Sequence, residues 1–350
     1  VFDIFYVGQE SDQWIQLKEK YPLSHRVDTF AEAQKRAFTK MFWVVWDDLI
    51  LESSFKFDYK VPDYDRHYIH VFKNGKFYDG VTLFPKSVSV SNRELDYRFY
   101  ASKKEIDIQA SLPKPFDVVF ISFYENFADK NFEILQKRLN KSIQRVNGVK
   151  GIHKAHIQAA TLASTRMFWV VDADAEIVPD FNFNYQVIRH NQDSVFVWRS
   201  RNPINNLEYG YGGVKLLPKK LTLSMDITKP DMTTSISSKF VAVDEVSNIT
   251  AFNTDPFSAW RSAFRECTKL ASRSIQGQIS EETSERLNGW CTLNDNAQYG
   301  FYAYMGALAG RRYGEKNASN PEALGKINDF TWLEDLWLAE KSQISLEHKQ

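Results

Sequence analysis

The sequence predicts an α/β protein made of two tandem copies of one unit, followed by a helical C-terminal region. Three observations predict it. Strand-like and helix-like segments alternate in the same order twice, over residues 3–48 and again over 117–174. Words recur in one order: Met41-Phe42-Trp43-Val44-Val45 as Met167-Phe168-Trp169-Val170-Val171, Phe55-Lys56-Phe57-Asp58-Tyr59 as Phe181-Asn182-Phe183-Asn184-Tyr185, and the stretch Tyr78 to Lys86 as Tyr211 to Lys219. Such self-similarity is the signature of a repeated structural unit. After residue 257 the pattern turns helical. The division is 1–110 for a first copy, 111–257 for a second, and 258–350 for a helical cap.

Asp3 to Val7 is β-branched and aromatic and reads as a strand. Gln9 to Lys20 reads as a helix stopped by Tyr21-Pro22, and His25 to Val27 as a short strand. Thr29 caps a helix to Thr39 with Phe30, Ala33, Ala37 and Phe38 on one face. Met41 to Trp46 is a third strand, ending on Asp47-Asp48. The second round gives a strand over Asp117 to Phe123, a helix over Asp129 to Leu139 and a strand over Ile143 to Val146. A helix over His153 to Ser164 and the strand beginning at Met167 complete it, and Ser194 to Trp198 reads as a further strand. Residues 221–257 are rich in Thr, Ser and Asp and read as an irregular, lid-like segment. Helices follow over Ala259 to Ala271, Glu281 to Asn288, Tyr299 to Ala309 and Asn328 to Ala339. Pro321 opens a short helix, and Gly310 and Gly314 act as punctuation.

A chain of 350 residues predicts two or three domains. Its formal net charge of zero argues against a protein that coats nucleic acid. No apolar run approaches the roughly 20 residues of a membrane span. Val1 opens directly on a strand-like segment with no charged leader, and the missing Met suggests residues upstream. Cys267 and Cys291 form neither a disulfide framework nor a metal spacing, which predicts two reduced thiols in a cytoplasmic protein.

The stretch Arg166 to Glu176 carries the chemistry. An apolar strand ends in Asp172 and Asp174, and in an open α/β sheet ligands bind at the carboxyl ends of strands. Two such carboxylates are hard oxygen ligands for Mg or Mn, and such a cation can neutralise a diphosphate leaving group. In the first copy Trp46 stands where Asp172 stands, while Asp48 matches Asp174. The first copy therefore reads as degenerate, a structural or acceptor-binding partner for the second.

The block Arg145-Val146-Asn147-Gly148-Val149-Lys150-Gly151, the helix after it and the strand to Asp174 resemble the donor half of GT-A-type glycosyltransferases. The resemblance covers roughly Asp117 to Lys219 and implies nucleotide-diphospho-sugar-transferase-like units in tandem. The span from Phe123 to Asp172 is shorter than in many such enzymes, so one strand–helix unit is missing from the pattern. Stretches Trp260 to Leu270 and Arg286 to Gly314 look similar to glycosyltransferases of large tailed phages. The resemblance implies Mn2+ or Mg2+ bound directly by Asp174, with Asp172 acting through water or on the donor ribose. Ser122, Phe123, Tyr124 and Glu125 would face the nucleotide, with Tyr124 stacking on the base. Lys150, His153 and Lys154 would approach the diphosphate at a helix start. Arg199 and Arg201 would hold phosphate or sugar, and Asp255 or Glu266 would serve as general base for an inverting reaction. The run Tyr209-Gly210-Tyr211-Gly212-Gly213 resembles the flexible acceptor-side loop of these enzymes.

The expected function is metal-dependent transfer of a sugar from a nucleotide-diphosphate donor to a saccharide, a modified DNA base or another acceptor. For a DNA acceptor, Lys215, Lys219, Lys220, Lys229 and Lys239 are the candidate basic track. Two other readings compete. One is a phosphotransferase with Asp172 as nucleophile and Asp174 as acid. The other is a non-catalytic nucleotide-binding or scaffold protein.

Overall fold

The computed structural model describes residues 2–73, 80–89, 102–125, 127–185, 187, 189–229, 232–274 and 279–347. The Tyr78–Asp79 part of one recurring word lies outside them. The first unit runs β1 (Asp3–Val7), α1 (Asp12–Lys20), β2 (His25–Val27), α2 (Phe30–Arg36), β3 (Met41–Trp46), β4 (Leu49–Leu51), β5 (Ile69–Lys73), β6 (Thr82–Pro85) and β7 (Lys103–Gln109). A short β8 (Ser111–Pro113) pairs back onto β4 and leads on. The second unit runs β9 (Asp117–Ser122), α3 (Ala128–Leu139), β10 (Gln144–Asn147), α4 (Ile152–Leu162), β11 (Met167–Asp172), β12 (Ala175–Ile177), β13 (Val195–Arg201), β14 (Glu208–Pro218), α5 (Lys219–Leu223), α6 (Met232–Ile236) and β15 (Phe240–Thr250).

The two sheets share one topology. The first has the order β2-β1-β3-β6-β5-β7 and the second β10-β9-β11-β14-β13-β15-β12. Directions agree strand for strand. β1 is parallel to β2 and β3, β6 is antiparallel to β3 and β5, and β7 is parallel to β5. The counterparts in the second sheet repeat this. Tertiary contacts repeat as well. Asp3 accepts hydrogen bonds from the Phe38 and Thr39 amides at 2.6 and 2.8 Å, and Asp117 from the Ser164 and Thr165 amides at 2.5 and 3.0 Å. Trp43 meets Phe55 and Phe57 edge-on at 5.8 and 5.3 Å, and Trp169 meets Phe181 and Phe183 at 5.7 and 5.3 Å. These aromatic words recur because each fills one face of its sheet, where edge-on rings add to burial.

Several expectations are corrected. The helix after Thr29 ends at Arg36, and Phe38 is 91% exposed, because the Asp3 carboxylate draws the following amides out of the helix. Residues 221–257 are not irregular: α5, α6 and the long strand β15 occupy most of them, with Met232 and Ile236 packed under the second sheet. Glu208–Pro218, which includes the glycine run, is strand rather than flexible loop. Gly310 and Gly314 lie inside a helix rather than punctuating it.

That helix is α9 (Gly300–Lys316), in a C-terminal region with α7 (Pro256–Ser272), α8 (Ser280–Trp290), α10 (Pro321–Gly325) and α11 (Phe330–Glu347). A Cβ added at Gly306 or Gly310 would lie 2.2 Å from the carbonyl oxygen of Trp260 or Phe264 in α7, so these glycines permit backbone contact between the helices. The region leans on the second unit, where Asn294 donates to the Ile204 carbonyl at 2.7 Å. Among the described residues no helix is long and apolar enough to cross a membrane.

The units stack head to tail. Asp47 and Asp48 follow β3 at the carboxyl edge of the first sheet, while Arg166 and Arg189 precede β11 and β13 at the amino edge of the second. Arg166 pairs with Asp47 at 2.5 Å, Arg189 with Asp48 at 2.9 Å, and Gln192 donates to Asp48 at 3.2 Å. The Arg189 guanidinium lies 3.9 Å from the Trp46 ring centroid. Burial raises the carboxyl of Asp48, but the Arg189 and Arg166 charges outweigh it and hold it below its ordinary value. Breaking a buried pair leaves a charge uncompensated. We expect Asp48→Ala to lower the unfolding free energy by about 3 kcal/mol, measured as the shift of the urea midpoint at constant m-value.

Candidate active site at the carboxyl edge of the second sheet

Met167 to Val171 are buried on both faces of the sheet, so a carboxylate can reach solvent only where β11 ends. Asp172 stands at that end and Asp174 follows in the turn to β12. Lys215 enters from the antiparallel neighbour β14, in register with Val170, and its ammonium lies 2.6 Å from Asp172 Oδ2. The lysine side chain is 4% exposed and the aspartate 33%. A buried ammonium needs a counter-charge, and Asp172 is that charge. Asp174 has no such partner: among the described residues no side chain lies within ion-pair or hydrogen-bond distance of its carboxylate. Burial, with Asp172 beside it, pushes its carboxyl up to about 7. His156 on α4 lies buried behind the pair. Its Nδ1 meets the Ile152 carbonyl at 2.8 Å, and its Nε2 has no partner among the described residues. Burial, with Lys215 next in effect, pulls its imidazole down to about 4, so the ring is neutral near pH 7.

The first sheet holds a different set at the same three places. β3 pairs with β6 so that Val44 faces Thr82, as Val170 faces Lys215. Trp46 stands for Asp172 and Phe30 for His156, and those two rings stack at 6.3 Å with planes 20° apart. An aromatic stack in one sheet is thus a His–Asp–Lys set in the other, inside the same frame of strands and hydrogen bonds. Burying charge costs stability unless it is paired and hydrogen-bonded, and even then it rarely improves on apolar packing.

The remaining expected residues fall in three groups. Ser122, Phe123, Tyr124 and Glu125 leave β9 at this same edge. Ser122 donates to Asn147 at 2.9 Å and accepts from Arg145 Nε at 3.0 Å. Glu125 accepts from the Phe123 amide at 2.6 Å and adds to the negative field on Asp174. Tyr124 has a φ of 62° and an exposed ring 5.0 Å from that of Phe123. A Cβ on Gly148 would lie 2.8 Å from the hydroxyl of the exposed Tyr124, and the Gly148 φ of 69° favours glycine at this position. The start of α4 forms the second group. Gly151 caps it with a φ of 99° and no side-chain hydrogen bond, Lys150 and Lys154 are exposed, and His153 Nε2 lies 3.1 Å from Ser235 Oγ.

The third group lies elsewhere or is otherwise engaged. Arg199 pairs with Asp244 at 3.2 Å and Arg201 with Glu208 at 2.7 Å, both on the surface. Asp255 is the N-cap of α7, accepting from the Ser258 amide at 2.9 Å and its hydroxyl at 2.6 Å. Burial raises its carboxyl, but the Ser258 and Thr254 hydrogen bonds prevail and hold it below its ordinary value, the wrong direction for a general base. Glu266 is buried in the helical region on Arg286 at 2.5 Å. The basic track is not continuous: Lys215 points inward, Lys219 donates to the Ala163 carbonyl at 2.7 Å, and Lys239 pairs with Asp193 at 2.6 Å. Sequence reasoning placed Lys215 only in the basic track and brought neither it nor His156 to Asp172. The signal was present in the two matching stretches of sequence, where a lysine stands against a threonine and a histidine against a phenylalanine.

The asymmetry of the pair gives an expectation for stability. Asp172→Leu strands the buried ammonium and should cost about 3 kcal/mol, whereas Asp172→Leu with Lys215→Met should unfold no more easily than wild type. Denaturant titration of the two variants reads the difference.

No family model matches the chain, and no curated protein matches it. Among solved structures, HddC from Yersinia pseudotuberculosis is similar over 51% of this chain and 88% of its own, at 12% identity and a TM-score of 0.25. A likeness of that size carries no argument about chemistry.

Proposed function

We propose that the chain transfers a sugar from a nucleotide-diphosphate donor, with its site at the carboxyl edge of the second sheet. In this reading the two sheets are copies of one duplicated GT-A-type unit, of which the first has lost its site. The observation that carries the reading is the exchange of Phe30, Trp46 and Thr82 for His156, Asp172 and Lys215 within one frame. The donor set fits a divalent cation of the Mg or Mn kind, because Asp172 and Asp174 offer hard oxygens and the Asp174 carboxylate has no side-chain partner among the described residues. Such a cation would neutralise charge developing on a diphosphate leaving group. The chain's own groups supply the rest. Phe123 and Tyr124 present exposed rings on which a base can stack. The amides that open α4, uncapped by any side chain, suit phosphate oxygens, with Lys150 and Lys154 beside them. The Ala251 amide bonds the Asp174 carbonyl at 2.8 Å, which brings the start of the helical region to this edge as a wall for the acceptor. A saccharide and a DNA base both remain within the acceptor class.

Thermal unfolding with a panel of nucleoside diphosphates and nucleotide-sugars, each with and without Mn2+, tests this. A ligand at about a hundredfold its Kd stabilises the native state by about 2.7 kcal/mol. We expect a rise in melting temperature that needs one nucleotide and Mn2+ together and that Asp174→Ala abolishes. No rise with any donor, in folded protein, would overturn the reading in favour of a scaffold.

A further inference from the structure

We propose that Lys215 is a resident counter-cation that competes with a divalent metal for Asp172, so that metal enters this site with a ligand's phosphates rather than alone. The inference rests on the donor-site reading above and names what regulates that site. Lys215 cannot leave. Its backbone is paired on both sides, with Val170 of β11 and Val197 of β13. Its stem runs along Gly212, where an added Cβ would lie 3.7 to 3.8 Å from the lysine Cγ, Cδ and Cε. Only the outer torsions of the side chain can move, so the ammonium stays within reach of the Asp172 carboxylate it now holds at 2.6 Å.

A free divalent ion approaching Asp174 therefore meets a neighbouring carboxylate whose charge is already spent. A diphosphate changes the balance, since it brings negative charge of its own and gives the ammonium a second partner. The lysine and the aspartate also come as a set. In the first sheet Thr82 turns its hydroxyl to the Gly80 carbonyl at 3.0 Å and Trp46 has no charge to offset, so neither half of the pair occurs without the other.

The test is Mn2+ binding to the full chain without nucleotide, by isothermal titration calorimetry. Wild type is compared with Lys215→Met and with Lys215→Thr, which installs the residue that the first sheet carries at this position. Removing a unit charge at this range should tighten Mn2+ binding about tenfold or more in both variants. Adding Asp174→Asn to Lys215→Met should abolish the gain. Circular dichroism melts confirm that each variant is folded, and Lys215→Arg, which keeps the charge, should bind Mn2+ as weakly as wild type. Unchanged or weaker Mn2+ binding in both Met and Thr variants overturns the inference, while a nucleotide-dependent melting shift in wild type would leave the transferase reading standing. No Mn2+ binding in any variant and no melting shift with any nucleotide would overturn both.

Discussion

The site depends on one constraint, the burial of β11 on both faces. Met167 to Val171 carry no charged side chain, and the Trp169 indole N–H is buried among them without a partner among the described residues. Charge can appear only where the strand runs out, and it must then be balanced from within the sheet or by a ligand. Lys215 provides the first balance for Asp172 from the adjacent strand. Asp174, two residues further out, has no second lysine beside it among the described residues and keeps a raised carboxyl pKa. An edge that satisfies one carboxylate internally and leaves the other without a side-chain partner among the described residues follows from this geometry.

The two sheets let the cost of that arrangement be seen, because the frame around it is constant. The turn before each central strand is fastened by an aspartate from the first strand of its unit, and the same tryptophan meets the same pair of phenylalanines behind it. Against this background the first sheet closes its edge with stacked Phe30 and Trp46, which needs no counter-charge. The second sheet closes it with a neutral imidazole, an ammonium and a carboxylate. Stability alone favours the aromatic solution, since burying paired charges rarely improves on apolar packing.

Much of the fold was legible because it rests on patterns that packing enforces. The central strands, the recurring aromatic words and the alternation of helix and strand all reflect buried faces. The carboxylates of Asp172 and Asp174 were legible for the same reason, since an apolar run that stops on acid marks a strand end. Lys215 and His156 were not, because their meaning depends on register across β11 and β14 and on the packing of α4, which no local pattern encodes. The Thr- and Ser-rich stretch before residue 257 misled through composition: its few apolar residues, Met232 and Ile236 among them, are enough to seat it under the sheet. Asp255, expected as a general base, stands in the structure as the N-cap of α7, the place a carboxylate ahead of Pro256 and a helix commonly takes.

Head-to-tail stacking accounts for where the charged set is found. Each unit has an amino edge and a carboxyl edge, and stacking buries the carboxyl edge of the first unit on the amino edge of the second. Carboxylates there must be neutralised by the neighbour, and Arg166 and Arg189 do so from positions just ahead of β11 and β13. At that edge both carboxylates are engaged by guanidiniums of the second unit. Among the described residues, helices rather than another sheet follow the second unit. The chain instead turns at Ala251, fastened to the Asp174 carbonyl, into helices that stand beside the edge and contact the hairpin between β13 and β14 at Ile204. Asp172 and Asp174 therefore keep partial access to solvent. A tandem arrangement of this kind leaves one carboxyl edge unsealed by a neighbouring sheet, and His156, Asp172 and Lys215 stand there.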